Sequence, residues 1–124
     1  MHQSKEKSKS VNNNKAIYMI TFDEFKKVEM KIGTVMEAEK VAGSDKLLKL
    51  RVDFGSEKRQ IVSGIAEFYS PEDLIGKQCP FVFNLEPKKF RGVESQGMIM
   101  AVDVEGYCVL MHPNREVAAG SLIT

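Results

Sequence analysis

One short segment gathers the side chains best suited to bind a charged polymer. Residues 84–92 read NLEPKKFRG and place three cations around Phe90, between a proline and a glycine. Lysine and arginine bind phosphate groups, and a phenylalanine ring can stack on an unpaired base. A solvated loop with Phe90 packed on the rim of a domain would have the same composition. The segment therefore indicates nucleic-acid binding and an ordinary loop about equally.

Further cations lie on two stretches that read as neighbouring strands. They are Lys46, Lys49, Arg51, Lys58 and Arg59. Basic side chains on the second and third strands of a small barrel would form a binding face, whereas a solvated sheet face would carry them just as readily. If these residues and those of the 84–92 segment converge in space, one face of the protein is basic.

Catalytic chemistry finds little support in the sequence. Outside the first residues His112 is the only histidine, and Ser63 and Ser95 have neither a nucleophile-elbow context nor a matched base. Cys79 and Cys108 stand apart within apolar runs, which indicates reduced core thiols in place of a metal site or a redox pair. We expect no catalytic residue, no metal and no cofactor.

The charge of the chain is unevenly distributed. The 124 residues carry a formal net charge of +1, but residues 1–15 hold four lysines against one glutamate, so the remainder has a net charge of minus two. We expect residues 1–18 to be a disordered basic tail and residues 19–124 to form one domain, because the tail has few apolar residues to bury. With neither a bilayer-spanning apolar stretch nor a signal peptide, we expect a cytoplasmic protein.

Alternating apolar residues predict mainly strands. A short helix over Thr21–Val28 precedes a strand from Glu29 to Glu39, with Met30, Ile32, Thr34, Met36 and Ala38 predicted on the inner face. The next strand places Leu48, Leu50, Val52 and Phe54 inward, and a third, residues 59–65, completes a meander. Capping residues at Ser70–Asp73 predict a second short helix.

Two later strands and a final extended piece complete the predicted fold. The fourth strand, Cys79–Glu86, places Phe81, Phe83 and Leu85 on one face, and the fifth aligns Met98, Met100, Val102 and Val104. The methionines at 30, 36, 98, 100 and 111 are expected to fill the core. An extended piece follows over Tyr107–Met111. We predict an all-β fold, a five-stranded closed barrel of the OB type with a C-terminal extension.

Two motifs resemble one known family. Residues 59–66, RQIVSGIA, and residues 92–98, GVESQGM, are similar to the tRNA-binding domain at the carboxyl end of bacterial methionyl-tRNA synthetases, which is also found as a separate archaeal subunit. The likeness runs from about residue 20 to the end. The same module resembles stand-alone tRNA-binding proteins, cytokine-like domains of eukaryotic synthetase complexes and the secretion chaperone CsaA.

The resemblance implies an OB barrel that binds tRNA by shape and backbone, often as a homodimer, with methionyl-tRNA synthetase as a possible partner in trans. It assigns to the RNA face the residues Lys46, Arg59, Ser63, Asn84, Lys88, Lys89, Phe90, Arg91 and Ser95. The chain departs from the family at Glu86, where a lysine is more usual, and in residues 41–44. Two alternatives are a CsaA-like chaperone that binds extended polypeptide and a dimerising adaptor with little RNA affinity.

Overall fold

A computed structural model describes residues 9–12 and 15–124, with side chains from Tyr18 onward. Over these residues the chain forms twelve strands and two one-turn helices. None of the helices in the described ranges is long and apolar enough to cross a bilayer. The elements are β1 (Lys9–Asn12), β2 (Lys15–Tyr18), α1 (Phe22–Phe25), β3 (Met30–Lys40), β4 (Leu48–Asp53), β5 (Lys58–Ser63), α2 (Pro71–Leu74), β6 (Gln78–Val82), β7 (Lys88–Phe90), β8 (Val93–Ser95), β9 (Met98–Ile99), β10 (Ala101–Val104), β11 (Tyr107–Leu110) and β12 (Leu122–Ile123).

The first two strands form an antiparallel hairpin in which Lys9 pairs with Tyr18 and Asn12 with Lys15. This hairpin falls in the segment for which a disordered tail is predicted. Residues 1–8, 13 and 14 lie outside the described residues, so the tail stays a prediction for them.

The main sheet is antiparallel throughout, in the order β5-β4-β3-β6-β9, with β12 paired to the start of β3. The predicted meander is therefore confirmed as β3, β4 and β5. The sheet curls until β5 meets the segment between β8 and β9. There the Gln96 N–H donates to the Gln60 carbonyl, with an N···O distance of 2.8 Å. The result is the nearly closed, all-β barrel that the sequence predicts.

The barrel interior is apolar and tightly filled. Strand β4 supplies Leu48, Leu50 and Val52, all completely buried as predicted, because strict alternation points every second residue inward. Phe54 follows them and makes edge-to-face contacts with Phe81 and Phe83 at centroid distances of 5.3 and 5.0 Å. The core holds Val35, Leu48, Leu50, Val52, Phe54, Ile61, Ile65, Leu74, Cys79, Phe81, Phe83, Ile99 and Leu110.

A bulge in β3 corrects the predicted faces of that strand. Val35 pairs with Val52, but Glu37 already pairs with Arg51, so the register shifts between them. The extra residue reverses the alternation. Before the bulge the buried residues are Gly33 and Val35, both predicted to face outward, whereas Met36 is 41% exposed.

The later strands differ from the prediction in a similar way. Ile99 is buried and Ala101 is packed against the core, whereas Met98 and Val102 are 49% and 44% exposed. The predicted face is therefore wrong by one residue. Leu85, placed inward with Phe81 and Phe83, is 45% exposed because β6 has ended at Val82. The prediction that Met36 and Met98 fill the core is wrong, because the shifted alternation of their strands leaves both side chains exposed.

Both predicted helices are present and short. In α1 the Thr21 hydroxyl accepts from the Glu24 N–H, and the Glu24 carboxylate accepts from the Thr21 N–H, which is a complete capping box. In α2 Pro71 occupies the first turn, and the Ser70 hydroxyl donates to the Asp73 carboxylate and caps no backbone amide.

The C-terminal segment is built into the barrel. Ile32 makes two backbone hydrogen bonds with it. The Ile32 N–H donates to the Ser121 carbonyl at 2.8 Å, and the Ile32 carbonyl accepts from the Gly120 N–H at 2.7 Å. Gly120 has a φ of +88°, and a methyl group added to it would overlap the carbonyl oxygen of Phe54. The backbone of the β4–β5 turn and that of the C-terminal segment thus touch directly at this glycine.

Candidate nucleic-acid interface

A shallow groove runs over the outer face of β3, β4 and β5. Its volume is about 320 Å³, and it is lined by Glu37, Ala38, Glu39, Lys49, Leu50, Arg51 and Gln60. Lys49 is held by Glu39, with Nζ 2.8 Å from the carboxylate oxygen. Arg51 is exposed and has no ion-pair partner among the described residues. Its guanidinium is therefore the open positive charge of this groove.

The hairpin of β7 and β8 adjoins the groove and is anchored to β5. The Gln60 side chain, which lines the groove, donates to the Glu94 carbonyl over 2.8 Å. Next to it the Ser95 hydroxyl accepts from the Val62 N–H at 2.9 Å and donates to the Gly97 carbonyl. These bonds fix the base of the hairpin against the barrel, so its tip is presented by a rigid support.

The hairpin carries the three cations of the 84–92 segment, but on two faces. Lys88 pairs with Ser95 and Lys89 with Glu94, so Lys88 and Lys89 point to opposite sides. Phe90 is half-buried and shares the side of Lys88, whose Nζ lies 5.2 Å from the ring centroid. The segment predicted as a loop is therefore a two-stranded hairpin.

The turn of this hairpin has an unusual backbone. Arg91 and Gly92 are its two central residues, with φ of +51° and +81°. Positive φ at both positions defines a type I′ turn. Among the described residues Arg91 is the sole non-glycine with positive φ.

Arg59 is placed differently from the open cations. It pairs with Val52, on the inward side of β5, and its guanidinium lies 3.5 Å from the Phe83 ring centroid. It donates to the carbonyls of Phe83 and Gln96 and to the Glu57 carboxylate. The hydrogen bond from Arg59 lowers the pKa of Glu57 below its usual value. Arg59 thus closes one end of the barrel.

Two other predicted site residues also have structural partners. The Asn84 side chain accepts from the Glu29 N–H at 2.8 Å and donates to the Lys27 carbonyl, which ties the end of β6 to the start of β3. Ser95 is 3% exposed and closes the barrel as described above. Lys46 is exposed beside the 43–45 turn, and Ser63 is half-buried at the end of β5.

Gln60 and Gln96 join β5 to the β7–β8 hairpin and to the segment that follows it. Neither glutamine is among the predicted site residues. Both lie inside the two motifs quoted above. Gln96 lies between Ser95 and Gly97 and Gln60 between Arg59 and Ile61, so no local pattern in the sequence indicates that the two glutamines pair with each other.

A buried cysteine and a histidine lie side by side at the start of β6. Burial raises the pKa of the Cys79 thiol to about 11, so that it stays protonated at neutral pH. Its sulfur lies 3.7 Å from His112 Nδ1, which is also 2.7 Å from the Gln78 carbonyl. Cys79 and Cys108 are both free. Within the described residues no group of His, Cys, Asp and Glu could hold a metal ion.

A second surface feature is an apolar groove of about 590 Å³ between α1 and the chain end. Exposed hydrophobic side chains border it, among them Phe22 at 72% and Leu122 at 61% exposure. Its lining comprises Phe22, Phe25, Lys26, Lys27, Val28, Glu29, Met30, Asn84, Leu122, Ile123 and Thr124.

Sequence comparison places residues 30–122 within a family described as "Putative tRNA binding domain". A methionine–tRNA ligase of Methanothrix thermoacetophila is 57% identical over 102 residues, covering 82% of this chain and 15% of the ligase. One from Caldanaerobacter subterraneus subsp. tengcongensis is 45% identical over 122 residues, covering 98% of this chain and 19% of the ligase. The chain thus spans less than a fifth of these curated relatives.

Solved structures give the same picture. A "MetRS related protein" from Pyrococcus horikoshii superimposes with a TM-score of 0.83 at 47% identity, covering 87% of this chain and all of that one. The chaperone CsaA of Bacillus anthracis superimposes with a TM-score of 0.77 at 35% identity, covering 86% and 99%. The resemblance drawn from the two motifs is therefore confirmed.

Proposed function

The chain belongs to the tRNA-binding domain family, and from this premise we propose that it holds tRNA as a non-catalytic auxiliary of a methionyl-tRNA synthetase. The observation that carries the proposal is the continuity of the groove on β4 with the β7–β8 hairpin through Gln60. Arg51, Lys89 and Arg91 are exposed there, and in the described part of the chain none of them forms an ion pair, although Glu37 is paired with Arg51 and Glu94 with Lys89 across the strands.

Such a surface suits recognition by shape. A-form RNA keeps its base edges in a deep, narrow groove, so contacts go mainly to phosphates and 2′-hydroxyls. We assign phosphate contacts to exposed cations and base stacking to Phe90. Arg59, Asn84 and Ser95 support this surface through their intramolecular hydrogen bonds, and Ser63 lies at its margin. The contacting cations are Lys46, Arg51, Lys88, Lys89 and Arg91.

The relatives support the auxiliary role. In the ligases the matching region is part of a much longer enzyme, whereas the Pyrococcus protein has the length of this domain. A weak tRNA site held close to a synthetase, by fusion or by association in trans, raises the local tRNA concentration and with it the apparent affinity. Since tRNA charging takes place in the cytoplasm, we place the protein there.

Filter binding of bulk tRNA across a salt series tests the proposal. With four to five phosphate contacts, affinity should fall about 100-fold between about 50 and 200 mM salt. Arg51→Gln should reduce the salt slope by about one. The matched control is Arg115→Gln, which removes one charge from the cleft near His112 and should leave the slope unchanged. A folded wild-type protein that fails to bind at low salt would refute the proposal and favour the chaperone alternative.

We also propose that the apolar groove between α1 and the chain end is covered by a second copy of the chain. Large exposed apolar surfaces usually mark interaction sites, and a two-fold axis lets one such groove cover its equivalent. Light scattering should give twice the chain mass. Phe22→Glu should yield a monomer at the same concentration, whereas Phe68→Glu, an exposed phenylalanine outside the groove, should remain dimeric. A monomeric wild-type protein would contradict this assignment.

A further inference from the structure

The type I′ turn of the β7–β8 hairpin has an arginine where its backbone favours another residue. The first central position of this turn needs positive φ, and asparagine or glycine is strongly preferred there. Arg91 has a φ of +51°. A long side chain in the left-handed region is strained by its own β-carbon, and such strain persists when the surrounding structure over-determines it.

The surrounding structure does fix this turn. Phe90 pairs directly with Val93, so only two residues connect the strands. At the other end of the hairpin the Gln60 amide holds the Glu94 carbonyl and the Ser95 hydroxyl holds the Val62 N–H. The register cannot slip to relieve Arg91, because Ser95 would then leave its buried position.

Nothing inside the described protein accounts for an arginine at this position. Arg91 is exposed and has no ion-pair partner among the described residues. A methyl group built on the neighbouring Gly92 would meet no atom within 4 Å, so the tip is clear of the barrel. Among the described residues the Arg91 guanidinium therefore forms no ion pair that could offset the strain of its backbone.

We propose that Arg91 is a phosphate-binding residue whose strained conformation is retained because it aims the guanidinium at the RNA backbone. The inference rests on the proposed function and extends it, since it makes the turn geometry a determinant of affinity. A guanidinium presents a planar fork of donors that matches two phosphate oxygens, and a rigid turn limits the loss of conformational freedom on binding. The ligand group is a phosphodiester of an RNA strand.

The test compares two substitutions at Arg91. Arg91→Asn relieves the strain and removes the charge, so the melting temperature should rise by about 2–5 °C. Its affinity for bulk tRNA should fall about 5–10-fold, with a salt slope lower by about one. Arg91→Lys keeps the strain and the charge but loses the planar fork, so its melting temperature and salt slope should match those of the wild type, while its affinity should fall about threefold.

Two results would overturn the inference. If Arg91→Asn is more stable than the wild type and its affinity for tRNA is unchanged, the strained turn does not contribute to RNA binding. If Arg91→Asn is no more stable than the wild type, the turn stores no strain. A wild-type protein that does not bind tRNA at all would instead count against the proposed function, and the melting temperatures would still report on the strain.

Discussion

Replacing Lys88, Lys89 and Arg91 together by alanine is expected to weaken tRNA binding about 100-fold at about 100 mM salt and to lower the salt slope by two to three. All three side chains are exposed, and none has an ion-pair partner among the described residues. Because Lys88 and Lys89 lie on opposite faces of the hairpin, an RNA strand that passes the tip gains contacts on both sides.

The same variant should remain folded, since the bonds that anchor the hairpin come from Gln60 and Ser95. Filter binding gives the affinity, and circular dichroism confirms folding. The control removes Lys77 and Arg115, which line the cleft beside His112, and should cost less than about threefold. Wild-type affinity in the triple variant would exclude the hairpin from the interface and leave only the β4 face.

A second large effect is expected on stability. Gly120→Ala should lower the free energy of unfolding by about 3 kcal/mol and the melting temperature by about 10 °C. Positive φ alone costs an alanine about 1 kcal/mol. The added methyl group would also overlap the Phe54 carbonyl oxygen, so the C-terminal segment must move away and strain its hydrogen bonds to Ile32.

Gly43 provides the matched control. It has a φ of +81°, but a methyl group there would meet no atom within 4 Å. Gly43→Ala should therefore show the backbone cost alone, about 1 kcal/mol. Thermal and urea unfolding of both variants measure the difference. Equal losses would mean that conformation, and not the close approach of two backbones, requires glycine at position 120.

The sequence predicted those parts of the fold that depend on local alternation. Strand β4 is the clearest case, because Leu48, Leu50 and Val52 alternate with polar residues in an unbroken strand. The prediction failed for β3, since a bulge is a property of two paired strands and leaves no mark in one of them. At Met98 two adjacent apolar residues could each have faced inward, and only the pairing of Ile99 with Phe81 decides between them.

The sequence also predicted only part of the candidate site. The cations of residues 84–92 could be found from composition, and the structure brings Lys88, Lys89 and Arg91 onto one hairpin. The long-range partners of Arg59, Asn84 and Ser95 could not be found in this way, because these acceptors and donors lie 24 to 57 residues away along the chain.

The pairing of β12 with β3 has a consequence for how the protein is made. Leu122 lies opposite Lys31, and Ile123 opposite Met30, so this edge of an early strand is paired only by residues that are synthesised much later. Contacts between such distant parts of a chain slow folding. While the polypeptide is still being translated, the start of β3 has an unpaired edge on that side, and an unpaired edge can join another chain. The barrel should therefore reach its native form only after residues 122–123 have been synthesised.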